Sequence, residues 1–456
     1  MDVLKDFIVE YLHGVKIPEI LLPSAEIDMS KWPVVACDQY TSQPDYWEKV
    51  ERLVSGSPSS YHIVLPEIYL EHPGDISLSD RISSINSHME QYLGEGILMS
   101  AGECMVLVDR ETEDSASSRK GLVLAIDLER YDFKPGNDNL IRATEGTVIE
   151  RIPPRLRIRK NSILEIPHVI LLVDDPQCSI IEPLSDLCAA GKTEILYDIE
   201  LMLGGGHVKG YRIPARSDAA RNALGAMAML KSLTEHGLLF IVGDGNHSLA
   251  AAKAHWDMIK ADSLSKPTAS DVMQSDATQS RARYALVEII NIYDEGLIFE
   301  PIHRVLFNIS LDDFISKSPV LMPDSQIMIS EKMSVENAIL MAENIDPAVQ
   351  PVPVFSGAEA VVFTFSNPPA TLSVGTFQIL IDKYLETRSS EARVDYIHGK
   401  DIVVGLAKEH VGILLPPLSK DTFFDMIVKE GVLPRKAFSL GEAAGKRYYM
   451  ESRMIV

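Results

Sequence analysis

No apolar run in this chain approaches the roughly 18 residues that a membrane-spanning helix needs. Instead, apolar runs of four to eight residues, such as VVAC (Val34–Cys37), YHIVL (Tyr61–Leu65), CMVLVD (Cys104–Asp109) and GLVLAIDL (Gly121–Leu128), alternate with helical patterns such as Ile76–Leu93. Short β-like runs interleaved with helices predict an α/β or α+β fold with mixed sheets. The 456 residues, 46% of them hydrophobic, can bury a sizeable core, and that length suggests about two or three domains.

A formal charge of −22 weighs against a nucleic-acid backbone or an anionic membrane as partner. The cations concentrate in one place, RIPPRLRIRK (Arg151–Lys160), a segment suited to a small anion or to a solvated strand. The four cysteines, Cys37, Cys104, Cys178 and Cys188, form no CxxC pair, which fits a reducing cytoplasm. The first residues are acidic where a signal peptide would be basic. The expectation is a cytoplasmic protein whose partner is a small molecule.

Ile195–Pro214 predicts two strands joined by a glycine turn, Ser217–His236 a helix, and Leu238–Val242 and Tyr284–Ile292 strands. The Ser-, Asp- and Thr-rich stretch Ala261–Arg281 predicts a long surface loop. From Leu311 the pattern restarts as helix, two strands (VVFTF and TLSVG), helix, strand and helix. This divides the chain into an N-terminal α/β region, 1–310, and a C-terminal α/β domain, 311–456.

Two motifs imitate phosphate loops. AAGKTEIL (Ala189–Leu196) contains GKT, but Asp186 stands where the first P-loop glycine is required, and a strand follows instead of a helix. LGGGHVKG (Leu203–Gly210) lies between two β patterns and reads as a hairpin turn.

FIVGDGNHSLAAAKAHW (Phe240–Trp256) is different. A buried strand breaks into Gly243, Asp244, Gly245, Asn246, His247 and Ser248, and an alanine-rich helix follows. Glycine permits backbone angles that other residues resist and lets a ligand approach. The first N–H groups of a helix lack internal partners and carry the positive dipole end, which suits an anion. Asp244 or Asn246 could instead merely cap the helix. His247 and His255, without carboxylate or cysteine neighbours, make a weak metal pair.

Asp-Gly-Asn-His-Ser-Leu at 244–249 resembles the D-G-H-H-R-Y signature of a widespread bacterial family of unknown function, distantly similar to the ParB/sulfiredoxin-like superfamily that includes a free serine kinase. YHIVLPEIYL resembles the family's LHV-x-RPE segment at His62, Val64, Pro66 and Glu67. Glu145–Thr147 with Arg155 is similar to its HE-x-T…DR stretch, PIHRV (Pro301–Val305) to its PTHRV, and VLPRKAFSL to its MPRKSTYF at Pro434 and Lys436. The chain departs from the pattern at Asn246, Ser248, Leu249, Leu65 and Thr144, so cation and proton-transfer positions are altered.

The resemblance implies a nucleotide-binding core of ParB/sulfiredoxin type and a nucleotide-dependent phosphotransferase acting on a small hydroxylated metabolite. Glu67 would then be the general base and His247 a catalytic donor. Gly243–Ser248 and Arg155 would hold a nucleoside tri- or diphosphate, with Mg²⁺ on Asp244. Glu67 also reads as a surface carboxylate, Glu145 and Arg155 as an ion pair, and His303 with Arg304 as a structural bond between domains. A non-catalytic nucleotide-binding switch and a scaffold that has lost its ligand are the alternatives.

Overall fold

The computed structural model describes residues 14–71, 74, 76–112, 117–134, 136–146, 149–234, 237–265, 280–388, 391–434, 436–441 and 443–456. The chain forms two compact units, Met1–Leu297 with Gly441–Val456, and Ile298–Leu440. The expected boundary after residue 310 lies at 297, and the last sixteen residues belong to the first unit instead of to a C-terminal domain.

The first unit is built on a mixed sheet. Its strands are β1 (Val15–Lys16), β2 (Glu19–Pro23), β3 (Leu98–Glu111), β4 (Arg119–Asp127), β5 (Tyr131–Asp132), β6 (Ile141–Arg142), β7 (Ile170–Val173), β8 (Glu194–Leu201), β9 (Gly206–Pro214), β10 (Phe240–Asp244) and β11 (Tyr284–Asn291). The order across the sheet is β5-β6-β10-β7-β11-β4-β3-β9-β8, with β1 on β4 and β2 on β3. β7 runs parallel to β11 and antiparallel to β10, and β6 runs parallel to β10. The mixed α/β class predicted from the alternating runs is the class observed.

Side chains alternate across a strand, so each strand feeds two layers. Leu122, Leu124 and Ile126 of β4 and Met105 and Leu107 of β3 enter one core, where Ala223 and Met227 of helix α2 (Asp218–Leu233) and Leu249 and Trp256 of helix α3 (Asn246–Ser265) cover them. Val123, Val106 and Val108 point the other way, into a core with Trp32, Trp47 and Tyr449. Glu288 of β11 is also buried, and it is tolerated because Arg447 pairs with it. An unpaired buried charge would cost several kcal/mol.

Helix α1 (Ile152–Lys160) replaces the strand considered for the basic segment. Pro153 and Pro154 fall at its start, where missing N–H groups cost nothing. Its Ile152 packs on Ala250 and Ala251 of α3, and those small side chains let the two helices approach closely. YHIVL is likewise no strand: Ser60–Ile63 is a 3₁₀ turn capped by the Ser59 hydroxyl. VVAC contributes one isolated bridge, Val35 to Tyr448. The P-loop imitation is the end of helix Glu182–Ala189 followed by β8, and LGGGHVKG is the β8–β9 hairpin, both as predicted. Of the polar stretch 261–281, residues 261–265 continue α3 and 266–279 lie outside the described residues.

In the second unit the strand order is Ile327–Ile329, Glu359–Phe365, Val352–Ser356, Val411–Ile413, Phe299–Phe307, Arg393–His398, and Phe438–Leu440 joins Phe299–Pro301. VVFTF is a strand, but TLSVG is not, because helix Ser373–Glu386 begins inside it. Phe314, Phe363, Phe377 and Tyr384 form edge-to-face and tilted contacts in its core. The bonds of Arg304, to Gln378 Oε1 (3.0 Å) and to the Ile302 carbonyl (2.6 Å), and that of His303 Nδ1, from the Leu415 N–H (3.1 Å), stay within this unit. They are not the bond between domains that was expected of these residues.

Candidate functional site

The β10–α3 junction is as tight as the sequence suggests. Asp244 ends the strand, Asn246 begins the helix, and only Gly245 lies between. The register of β10 against β7 slips between Val242 and Asp244, which places a bulge at Gly243. Gly245 has φ +80°, and a Cβ there would lie 3.1 Å from Val169 Cα. Glycine is thus needed for the approach of the chain leading into β7, not for room beside a ligand. Asp244 Oδ1 accepts the Gly245 N–H (2.8 Å), and Oδ2 pairs with Lys446 Nζ (3.1 Å). Asn246 Nδ2 donates to Thr144 Oγ1 (3.1 Å), which donates to the Val242 carbonyl (2.7 Å). Asn246 Oδ1 is buried with no donor among the described residues.

Beside this turn stands a residue that the sequence reading missed. His168 is buried just ahead of β7. Its Nδ1 shares a 2.8 Å hydrogen bond with Tyr449 Oη, and its Nε2 lies 3.4 Å from Ser248 Oγ and 3.6 Å from Asp38 Oδ2. Burial disfavours the imidazolium, but Asp38 outweighs it, with help from Asp244 and Glu67, so the His168 pKa is raised. Asp38 responds in the opposite sense: burial pushes its carboxyl up, and His168 together with Lys446 brings it well below the ordinary carboxylate range.

Glu67 and Arg155 form an ion pair, a hydrogen bond from Nη2 to Oε1. Arg155 projects from α1, and Arg159, one turn on, pairs with the buried Glu165 (2.5 Å). Glu67 is fixed through its backbone, whose N–H donates to the Cys37 carbonyl (2.8 Å) beside Asp38. Burial raises the Glu67 carboxyl above its ordinary value despite Arg155. The last segment closes the site: Tyr449 N–H donates to the Val34 carbonyl, Ala36 N–H to the Arg447 carbonyl (2.9 Å each), and Cys37 N–H to Tyr449 Oη (3.1 Å). That pairing sets Lys446 and Tyr449 beside Asp38.

A cavity of about 150 Å³ opens among these groups, with Cys37, Arg155, His168, Ser248 and Tyr449 in its lining and apolar residues such as Ile158, Leu249 and Leu286 behind them. Of the expected set, Arg155 and Ser248 line the cavity, Glu67 pairs with Arg155, and Asp244 and Asn246 stand at the turn ahead of Ser248 without lining the cavity. The structure adds Asp38, His168, Lys446 and Tyr449. His247 sits in the first turn of α3, partly exposed, and is not among the cavity-lining side chains. His168, not His247, is the histidine in the cavity lining.

The donors do not fit a resident Mg²⁺ on Asp244. Both of its oxygens are engaged, and among the described residues no group of three His, Cys, Asp or Glu could hold a metal ion. His255 is buried in α3, and burial lowers its pKa to about 4.

Fold and site together define a mixed α/β protein with a small, largely apolar pocket, edged by paired charges, beside the β10–α3 turn. The chain belongs to the family described as protein of unknown function DUF1015, whose family model covers residues 21–342. No curated protein matches it. Among solved structures it is similar to a conserved hypothetical protein from Pyrococcus furiosus (9% identity, 72% of this chain and 90% of that one, TM-score 0.33). It is also similar to C-terminally truncated SbnI from Staphylococcus aureus (11%, 72% and 85%, 0.34). A further similar structure is a mutant free serine kinase in complex with AMP (10%, 76% and 94%, 0.36). Scores of this size do not establish a shared site. Among the described residues no helix is long and apolar enough to cross a membrane.

Proposed function

We propose that the pocket holds a nucleotide by its phosphates, and that the protein is a nucleotide-dependent phosphotransferase acting on a small hydroxylated metabolite. One observation supports this above the rest. Arg155 and His168 line the cavity and each is held by a carboxylate, Glu67 and Asp38, while Lys446 is held by Asp244 at the neighbouring turn. A phosphate can take over such contacts without any cation having to be newly buried, and Arg suits bidentate phosphate binding. The first turn of α3 lies beside them, with Ser248 Oγ 3.4 Å from His168 Nε2, and a helix N-terminus favours an anion.

Phosphoryl transfer asks chiefly for positioning and charge neutralisation. Glu67, its pKa raised by burial, is the proposed base. A carboxylate raised towards neutral pH is the better proton acceptor. Once Arg155 turns to phosphate, Glu67 is free to take the proton of the substrate hydroxyl. Asn246 Oδ1, buried with no donor among the described residues, is the proposed acceptor for a hydroxyl of the ligand.

The test is thermal unfolding with AMP, ADP and ATP, with and without Mg²⁺, followed by ADP release from ATP across a panel of hydroxylated metabolites. Ligand at about 100 times its Kd should add about 2.7 kcal/mol. Glu67→Gln should bind ATP as wild type does and release no ADP. Stabilisation without turnover in any arm would favour the non-catalytic switch, and no stabilisation by any nucleotide would overturn the reading.

A further inference from the structure

The second unit holds a cavity of about 450 Å³, lined wholly by residues between Glu300 and Pro417. That volume takes one small organic molecule, and the proposed chemistry of the first unit makes no use of it. Six of the wall residues are Pro301, Pro347, Pro351, Pro353, Pro416 and Pro417. Proline contributes a fixed apolar ring and no N–H, so the wall is stiff, apolar and short of donors. A ligand that fits it brings donors of its own.

The charged lining points the same way. Glu300 and Glu343 supply carboxylates and Lys400 one ammonium, and His303 is buried on strand Phe299–Phe307. His303 Nδ1 accepts the Leu415 N–H, so a proton on this ring sits on Nε2, and burial beside Arg304 keeps the ring neutral at ordinary pH. Two carboxylates against one ammonium leave the lining net negative, on a chain of formal charge −22. Such a field concentrates cations and repels anions.

We propose that this cavity is a binding site for a small apolar amine: a protonated amino group paired with Glu343 and Glu300, and a compact aromatic or aliphatic body against the proline rings. The site is independent of the nucleotide reading.

The test is titration calorimetry on the full chain with naphthylmethylamine as probe, and with naphthylmethanol and naphthoate as neutral and anionic comparators. The amine should bind saturably, one per chain, ahead of the alcohol, with the carboxylate weakest. The double substitution Glu300→Gln, Glu343→Gln should weaken the amine by about fivefold or more and leave the alcohol unchanged. Ala342→Trp, which fills the cavity from its wall, should abolish binding of the amine. Carboxylate binding as tight as the amine's, amine affinity unmoved in a folded Ala342→Trp protein, or no saturable binding would each overturn the proposal. If Ala342→Trp does not fold, the Gln variants decide, because Glu343 is exposed.

Discussion

His168 and Tyr449 share a 2.8 Å hydrogen bond across 281 positions of sequence, and that bond ties the last segment of the chain to the entrance of β7. It also fixes the other ring nitrogen towards Asp38 and Ser248. The imidazolium is favoured in the folded state, since the His168 pKa is raised above 6.5.

The sign of the pH effect follows. A pKa raised by folding contributes stability that is complete below the unfolded value and is lost as pH rises through the folded one. Denaturant midpoints measured from about pH 6 to about 9 should therefore fall with rising pH in wild type, and the fall should flatten in His168→Gln. Equal slopes in the two proteins would mean that the Asp38 pairing contributes nothing to folding.

The Asp244–Lys446 pair allows the exchange idea to be separated from a simple cap. Lys446→Ala should weaken nucleotide binding about tenfold, the loss of about 1.4 kcal/mol from one charge-assisted contact. Asp244→Asn keeps an oxygen for the Gly245 N–H and removes the charge that pairs with Lys446, so it should bind nucleotide more tightly than wild type. Weaker binding by Asp244→Asn would show that the carboxylate itself serves the ligand.

Net charge yields a negative prediction. With −22 formal charges and the α1 cations Arg155 and Arg159 already paired with carboxylates, duplex DNA should not bind at about 0.15 M salt. A gel shift at micromolar protein under those conditions would contradict it.

Particular elements show what could be read in advance. Strong periodicity identified β3, β4, α2, the helix Leu78–Gly94 and the β10–α3 turn. YHIVL and RIPPRLRIRK misled because tertiary contacts outweighed local pattern: the first is held by the Ser59 cap and the second by Ala250 and Ala251 of α3. Within the site, Glu67 and Arg155 were legible through motif order, and Ser248 through its place at the start of α3. His168 carried only a faint signal, a polar residue between Pro167 and the run VILLV. Asp38, Lys446 and Tyr449 carried none, since their meeting depends on the pairing of Val34–Ala36 with residues 447–449. No local window contains both.

Gly245 gives the sharpest test of the turn itself. Its φ of +80° suits glycine, and the space a Cβ would enter is held by Val169 Cα and Cγ2, each 3.1 Å away. Left-handed backbone costs an alanine about 1–2 kcal/mol, and here the contact with Val169 adds to it because backbone cannot swing aside as a side-chain tip can. Gly245→Ala should therefore destabilise the protein by at least about 1 kcal/mol in denaturant unfolding. It should also loosen His168, whose Cδ2 lies 3.5 Å from the same point, and so weaken nucleotide binding. Gly243→Ala sits at the bulge, where no positive φ occurs among the described residues, and should cost less. If the two substitutions destabilise equally, the turn does not depend on the left-handed glycine, and the tight junction of β10 with α3 has another cause.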